Sequence, residues 1–162
     1  ALKPDLLVVV FDRPASPGNL GTLIRSCDAL HVDGMLVTGH SVDVYDPETI
    51  RATTGSFFAV PTARLPSHKE LIPWLETVGR TIGDFQLVGS SAKAHATIWE
   101  HDFTRPTVLV VGNETWGLSA SYKTLCDAMV RIPITGSATS LNVACAASIM
   151  LYEIDRQRQT RR

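Results

Sequence analysis

No stretch of this sequence is apolar for long enough to cross a bilayer, and its start lacks the basic-then-apolar pattern of a secretory leader. Cysteine is scarce. Cys27, Cys126 and Cys145 are odd in number, far apart and form no C-x-x-C. That argues against a disulfide frame or a zinc site and predicts free thiols in a reducing, cytoplasmic setting. The histidines at 31, 40, 68, 95 and 101 show no metal-ligand spacing with those thiols, so no metal is expected. Neither sign of charge dominates: 15 Lys and Arg stand against 16 Asp and Glu, a net charge of −1. Bulk charge therefore does not announce a polyanion binder. The exception is local, because Arg156, Arg158, Arg161 and Arg162 crowd the C-terminus. Such a tail either reaches phosphates or is simply solvated. Also missing are a G-x-G-x-x-G after the first strand, a G-x-x-x-x-G-K-[ST] and a G-x-S-x-G. Their absence disfavours a dinucleotide enzyme, a P-loop ATPase and an α/β-hydrolase.

What is present suits one domain of 162 residues with an ordinary core, 44% hydrophobic and 19% charged. There is no internal repeat, low-complexity tract or linker. Residues 6–11 form an aliphatic run too short for a helix, the signature of a strand buried on both faces. A helix is predicted over 20–30, with Asn19 as its cap, and a strand over 35–38. Asp46-Pro47-Glu48 opens a second helix, with Gly55 just past its end. Strands are expected over 57–63 and 85–90, separated by a helix over 67–78. Residues 107–111 read as a second buried strand, 119–126 as a helix, and 129–132 as the last strand. The final helix is expected over 141–158, capped by Thr139 or Ser140. Strands and helices alternate throughout, which predicts an α/β fold with a parallel sheet flanked by helices on both faces.

Ligands of such sheets sit beyond the carboxyl ends of the strands. Three loops rich in small and polar residues leave those ends: 17–21, 112–117 and 135–142. The third runs into the most apolar helix, whose Val143, Ala147, Met150 or Leu151 and Ile154 share a face. Its neighbours Ala144, Cys145, Ala146 and Ser148 have little bulk, so other backbone can approach closely. The stretch is either the floor of a ligand pocket or a core helix behind an ordinary loop. These loops suit a nucleoside with a short polar tail better than a pyrophosphate.

Three ordered motifs then stand out. They are Asn19-x-Gly21-x-x-x-Arg25, Val111-Gly112-Asn113-Glu114-x-x-Gly117-Leu118-Ser119, and Ile132-Pro133-x-x-Gly136-x-x-x-Ser140-Leu141-Asn142-Val143. Together they resemble the motifs of the SpoU (TrmH-like) branch of the SPOUT RNA methyltransferases, and span Pro17 to Glu153. The resemblance implies a deep trefoil knot near the C-terminus, S-adenosylmethionine as cofactor, and a homodimer that completes each active site. The implied reaction is methylation of a ribose 2′-hydroxyl in tRNA or rRNA. The whole chain, 1–162, then reads as the catalytic domain; the separate N-terminal RNA-binding domain often found in the family is not among these residues. The alternative is a catalytically silent RNA-binding or assembly module on the same fold.

Carried over residue by residue, the resemblance sets the cofactor against backbone of Gly112, Ile132 and Leu141. Asn113 and Gly117 lie in the same turn, with Gly89 and Ser90 as further contacts. Glu114 fixes the loop or meets RNA, and Asn19 orients Arg25 or the substrate. Ser140 and Asn142 bond the substrate or steer Arg25. Arg25 itself is assigned activation of the 2′-hydroxyl. Arginine is effectively always protonated, so it acts either as a base with a strongly depressed pKa or as a clamp on phosphate and oxyanion. Asp28, His31 and Trp116 depart from the family pattern, and the indole is placed either to stack a base or to meet a second subunit.

Overall fold

The computed structural model describes residues 2–160. Its centre is a seven-stranded sheet of β1 (Leu7–Asp12), β2 (Gly34–Thr38), β3 (Thr62–Leu65), β4 (Gln86–Ser90), β5 (Ala96–Thr97), β6 (Thr107–Val111) and β7 (Ala128–Arg131). The spatial order is β3-β2-β1-β6-β4-β7-β5, and every neighbouring pair is parallel. β1 and β6 are buried along their whole length, as their unbroken aliphatic runs predict.

Five helices cover the sheet: α1 (Pro17–Ala29), α2 (Pro47–Ala52), α3 (His68–Ile82), α4 (Ala120–Leu125) and α5 (Val143–Gln159). Alternation along β1 decides which face each meets. Val9 and Phe11 point into a core shared with Leu20, Leu23, Ile24 and Cys27 of α1 and with Ala147, Met150, Leu151 and Ile154 of α5. Val8 and Val10 point the other way, onto Leu71, Leu75 and Val78 of α3 and Tyr122 of α4. The expected parallel sheet with helices on both faces is therefore the observed one.

The differences are local. Asn19 does not cap α1; the helix starts at Pro17, three residues earlier than expected, where Ser16 accepts from Asn19 N. Residues 56–58 form a 3-10 turn rather than the start of a strand. Gly55 precedes that turn at φ +100°, and pairing of β3 with β2 begins only at Thr62, after Pro61. Neither Thr139 nor Ser140 caps α5. Asn142 does, its Oδ1 accepting from Ala144 N at 2.9 Å and Cys145 N at 3.3 Å. The two departures near α1 also have a structural setting. Asp28 accepts from Ser56 Oγ at 2.7 Å, and His31 holds φ +53°, a left-handed position that glycine fills without strain.

Half of the expected basic tail is committed to the fold. Arg158 donates to the carbonyls of Phe103 at 3.1 Å, Asp5 at 2.7 Å, Leu6 at 3.2 Å and Arg105 at 2.9 Å. Arg156 forms a two-pronged pair with Glu153, both arms 2.8 Å. Arg161 and Arg162 lie outside the described residues. Arg158→Ala leaves four carbonyls without a charged donor, and a loss of about 3 kcal/mol in urea unfolding is expected. Arg158→Lys recovers only part, since an ammonium lacks the planar fork. A change below about 0.5 kcal/mol for the alanine variant would show that water replaces the guanidinium fully.

Candidate active site

The strand order reverses beside β1: the chain runs outward through β2 and β3, then returns so that β6 inserts between β1 and β4. The loops after β1, β6 and β7 all leave the carboxyl edge at this switch point, where open α/β sheets bind ligands. The loops after β4, β6 and β7 line an open cleft of about 410 Å³ along this edge. Of the residues singled out from the sequence, Ser90, Asn113, Glu114, Gly117, Ile132, Ser140 and Leu141 line it. Val143, Ala146 and Met150 of α5 form part of its wall, so the apolar helix does border a pocket.

One hydrogen-bonded chain ties the three loops together. Both oxygens of Glu114 are engaged: Oε2 accepts from Ala15 N at 2.9 Å, and Oε1 from Ser16 N at 3.1 Å and Asn19 Nδ2 at 3.4 Å. Asn19 Oδ1 in turn accepts from Asn142 Nδ2 at 3.0 Å. Asn142 Oδ1 is held by the first amides of α5. The polarity is set from both ends. A carboxylate only accepts, so Asn19 must offer its amine to Glu114; helix amides only donate, so Asn142 must offer its oxygen to α5. The Asn19–Asn142 bond is then oriented without ambiguity. Glu114, with both oxygens engaged by three donors, braces the loops.

The turn that carries Glu114 is itself closed. Asn113 and Gly117 exchange backbone bonds at 3.0 and 2.9 Å, with Gly117 at φ +67°. Gly112 lies flat against the far strand of this turn: a Cβ on it would stand 2.2 Å from Gly117 C and 2.3 Å from Leu118 N. Gly89 sits in the same layer, beneath Met129, Leu118 and Cys126. Gly89 and Gly112 are thus packing positions behind the cleft; neither lines it.

Residues that the sequence did not single out complete the brace. Arg13, at φ +54°, accepts through its carbonyl from Asn113 Nδ2 at 2.7 Å and donates from Nη2 to Gly117 O at 3.0 Å. Asp12, buried at the end of β1, accepts from Ser119 N and Arg13 Nε, both at 3.2 Å. An acidic residue at a strand end, followed by Arg-Pro, was the available signal. Asn113, Gly117 and Ser119, which this pair holds, are 100 or more residues away and were not legible.

Arg25 stands apart. It is exposed on α1, six residues or about 9 Å along the axis from Asn19, and does not line this chain's cleft. No hydrogen bond or ion pair joins its side chain to another described residue. α1 and α5 run side by side, stitched by Asn19–Asn142 at one end and Ser26 Oγ–Ser148 Oγ at 2.7 Å further along. Beside Arg25, α5 turns Cys145, Ile149 and Tyr152 outward at helical spacing, with Ile149 42% and Tyr152 66% exposed.

The cleft suits a nucleoside ligand. Residues 135–141 are exposed, and none of the backbone N–H groups of residues 134–141 finds a partner among the described residues. Of these residues Ile134, Ser140 and Leu141 line the cleft, so free backbone groups at both ends of the loop reach its wall, beside apolar α5 side chains. Such a wall can match the edge of a purine and a ribose while the apolar side takes their faces. Among the described residues, no group of His, Cys, Asp and Glu is arranged to hold a metal ion.

Comparison with known proteins agrees with this geometry. The model of the SpoU rRNA Methylase family matches residues 6–152. The chain is 49% identical over 157 residues to the 23S rRNA (uridine(2479)-2′-O)-methyltransferase of Streptomyces viridochromogenes, covering 97% of this chain and 55% of that protein. The crystal structure of the SpoU methyltransferase AviRb from the same organism, in complex with AdoMet, superposes with a TM-score of 0.95 at 49% identity, over 98% of this chain and 62% of the other. An AdoMet-bound rRNA methyltransferase from Sinorhizobium meliloti gives a TM-score of 0.87 at 36% identity, over 96% and 57% of the two chains. The chain thus spans little more than half the length of these relatives. With the family model matched along most of its length and its fold shared with these enzymes, the chain belongs to the SpoU rRNA methylase family.

Proposed function

We propose that residues 1–162 form the catalytic domain of an S-adenosylmethionine-dependent RNA methyltransferase that methylates a ribose 2′-hydroxyl, with ribosomal RNA as its substrate. The observation that carries this reading is the hydrogen-bonded chain Glu114–Asn19–Asn142, which joins all three family motifs beside a cleft lined by residues of the second and third. AdoMet occupies the similar Streptomyces enzyme, and two curated relatives with a named activity, 49% and 33% identical, are 23S rRNA 2′-O-methyltransferases. The loops at 112–119 and 132–142 are the ones that a knotted chain would thread, and no metal takes part.

In this reading Ser90, Asn113, Gly117, Ile132 and Leu141 hold the cofactor, largely through main-chain groups, while Gly89 and Gly112 keep the layer behind them thin. Bound S-adenosylmethionine supplies a sulfonium-activated methyl group, so the protein's work is positioning and charge stabilisation. Orientation alone is worth about 7–11 kcal/mol in favourable systems. Ser140 and Asn142 face the ribose, and Glu114 keeps Asn19 and Asn142 in register. Arg25 acts as a cationic clamp on the substrate phosphate and the developing oxyanion, the proton leaving to water.

Because Arg25 lies outside its own cleft, it serves the cleft of a second copy. The outward Cys145, Ile149 and Tyr152 stripe beside it supplies an apolar seam for that homodimer. We place the enzyme in the cytoplasm, with its RNA. The test is incubation with methyl-labelled S-adenosylmethionine and total RNA, with the product nucleotide mapped. A 2′-O-methylated nucleotide in rRNA is expected, made by a dimeric protein that binds the cofactor in the micromolar range. Label on a base, or RNA binding with no transfer, would overturn the assignment.

A further inference from the structure

Trp116 is the largest side chain at the cleft and the least explained by folding. Its indole is 77% exposed and stacks on no other aromatic ring among the described residues. Yet its backbone is tightly held. Trp116 N donates to Asn113 Oδ1 at 3.0 Å, Thr115 N to the same oxygen at 2.9 Å, and Asn113 and Gly117 close the turn on either side. The protein thus presents a flat apolar surface to solvent from a rigid mount, so little conformational freedom is lost when a ligand covers it.

Charge around the same cleft points to the ligand class. Lys93, Lys123 and Arg131 line it along with Trp116. The charged end of none of the three is hydrogen-bonded or ion-paired to another described residue, and Glu114, the one carboxylate lining the cleft with them, is turned onto Ala15 N, Ser16 N and Asn19 Nδ2 instead. Three cations against one carboxylate leave the rim net positive in a protein of net charge −1, which favours phosphates, and an exposed indole beside them favours a base.

We propose that Trp116 is a stacking platform for an unpaired base of the substrate RNA next to the ribose that is methylated, with Lys93, Lys123 and Arg131 taking the adjoining phosphates. This rests on the methyltransferase reading and adds a substrate class: the target lies in a single-stranded or loop segment, since a base within a duplex has no face to offer. A second subunit on the indole, or the adenine of the cofactor, is the competing occupant.

The experiment uses Trp116→Ala and Trp116→Phe, with circular dichroism as a check of fold. Affinities are measured for a short oligouridylate, for the same strand annealed to oligoadenylate, and for S-adenosylmethionine. Trp116→Ala should weaken the single strand roughly 5- to 100-fold, the range of one base–aromatic stack. Trp116→Phe should stay within about 3-fold of wild type, since phenylalanine also stacks. Duplex and cofactor affinities should not move. Single-strand binding should quench tryptophan emission in the wild type and much less in Trp116→Phe, although Trp74 and Trp99 remain. Unchanged single-strand affinity in Trp116→Ala overturns the proposal. So does a matching loss of cofactor affinity, which assigns the indole to adenine, or conversion to monomer, which assigns it to an interface. Methyl transfer by the wild type is scored separately: Trp116-dependent binding without transfer removes the methyltransferase reading and keeps the platform, whereas normal transfer by Trp116→Ala removes the platform alone.

Discussion

Gly112→Ala should lower cofactor affinity by at least 100-fold and cost about 3 kcal/mol of stability, the scale of severe overpacking. The added carbon would sit 2.2 Å from Gly117 C, 2.3 Å from Leu118 N and 2.6 Å from Gly117 O. All three are main-chain atoms, so no side chain can swing aside. Residues 117 and 118 must retreat by about an ångström or more to reach ordinary packing distance. That retreat pulls Gly117 O from Arg13 Nη2, opens the Asn113–Gly117 bridge and shifts Ser119 N from Asp12. The turn that carries Glu114 would then lose its register with Asn19. Gly117→Ala is the control. Nothing lies within 4 Å of a Cβ there, but φ is +67°, so the cost is only the left-handed penalty of about 1–2 kcal/mol. Titration calorimetry with S-adenosylmethionine and thermal melts should rank Gly112→Ala well below Gly117→Ala, and wild-type cofactor affinity in Gly112→Ala would show that the loops are not packed as described.

The parts of this fold that were legible from the sequence are those decided by local chemistry. Residues 6–11 and 107–111 are continuous aliphatic runs, and only a strand buried on both faces uses them. Asp46-Pro47-Glu48 carries its helix start within three residues, and Asp46 caps α2 as that start requires. What could not be read locally was decided at long range. Asn19 looks like a helix cap because nothing nearby reveals Glu114, a partner 95 residues away that claims its side chain. Ser16 is then free to cap α1. Ser140 and Asn142 are about equal as caps in isolation, and Asn142 is the one fixed in place, because its other end bonds Asn19. Phe57 and Phe58 have strand propensity, but Gly55 turns the chain and Phe57 packs edge-on between Tyr45 and Phe58. In the site the same division holds. Motif positions were visible as residue types at fixed spacing, whereas Arg13 and Asp12, which hold the second motif in place, carry no spacing that announces them.

Arg25→Ala should reduce methyl transfer by about 100- to 1,000-fold or more while cofactor affinity stays within about two-fold. That is the loss expected when one pre-aimed donor to a developing oxyanion is removed, about 3–4 kcal/mol. The cofactor is spared because Arg25 is exposed on α1 and forms no part of the cleft wall in its own chain. Arg25→Lys separates a clamp from a base. A lysine clamp keeps part of the rate with a flat profile near neutral pH, because both cations stay charged there. A lysine base, with an ordinary pKa near 10.4, would instead gain rate about tenfold per pH unit as it deprotonates. The clamp predicts the flat profile. Geometry adds a sharper test. If Arg25 serves a second copy, mixing the Arg25→Ala protein with a Gly112→Ala protein should create dimers holding one complete site. After random exchange of an equal mixture, about a quarter of wild-type activity should return, although neither parent is active. No recovery after verified subunit exchange would place Arg25 outside the shared site, and the outward stripe of Cys145, Ile149 and Tyr152 would need another partner.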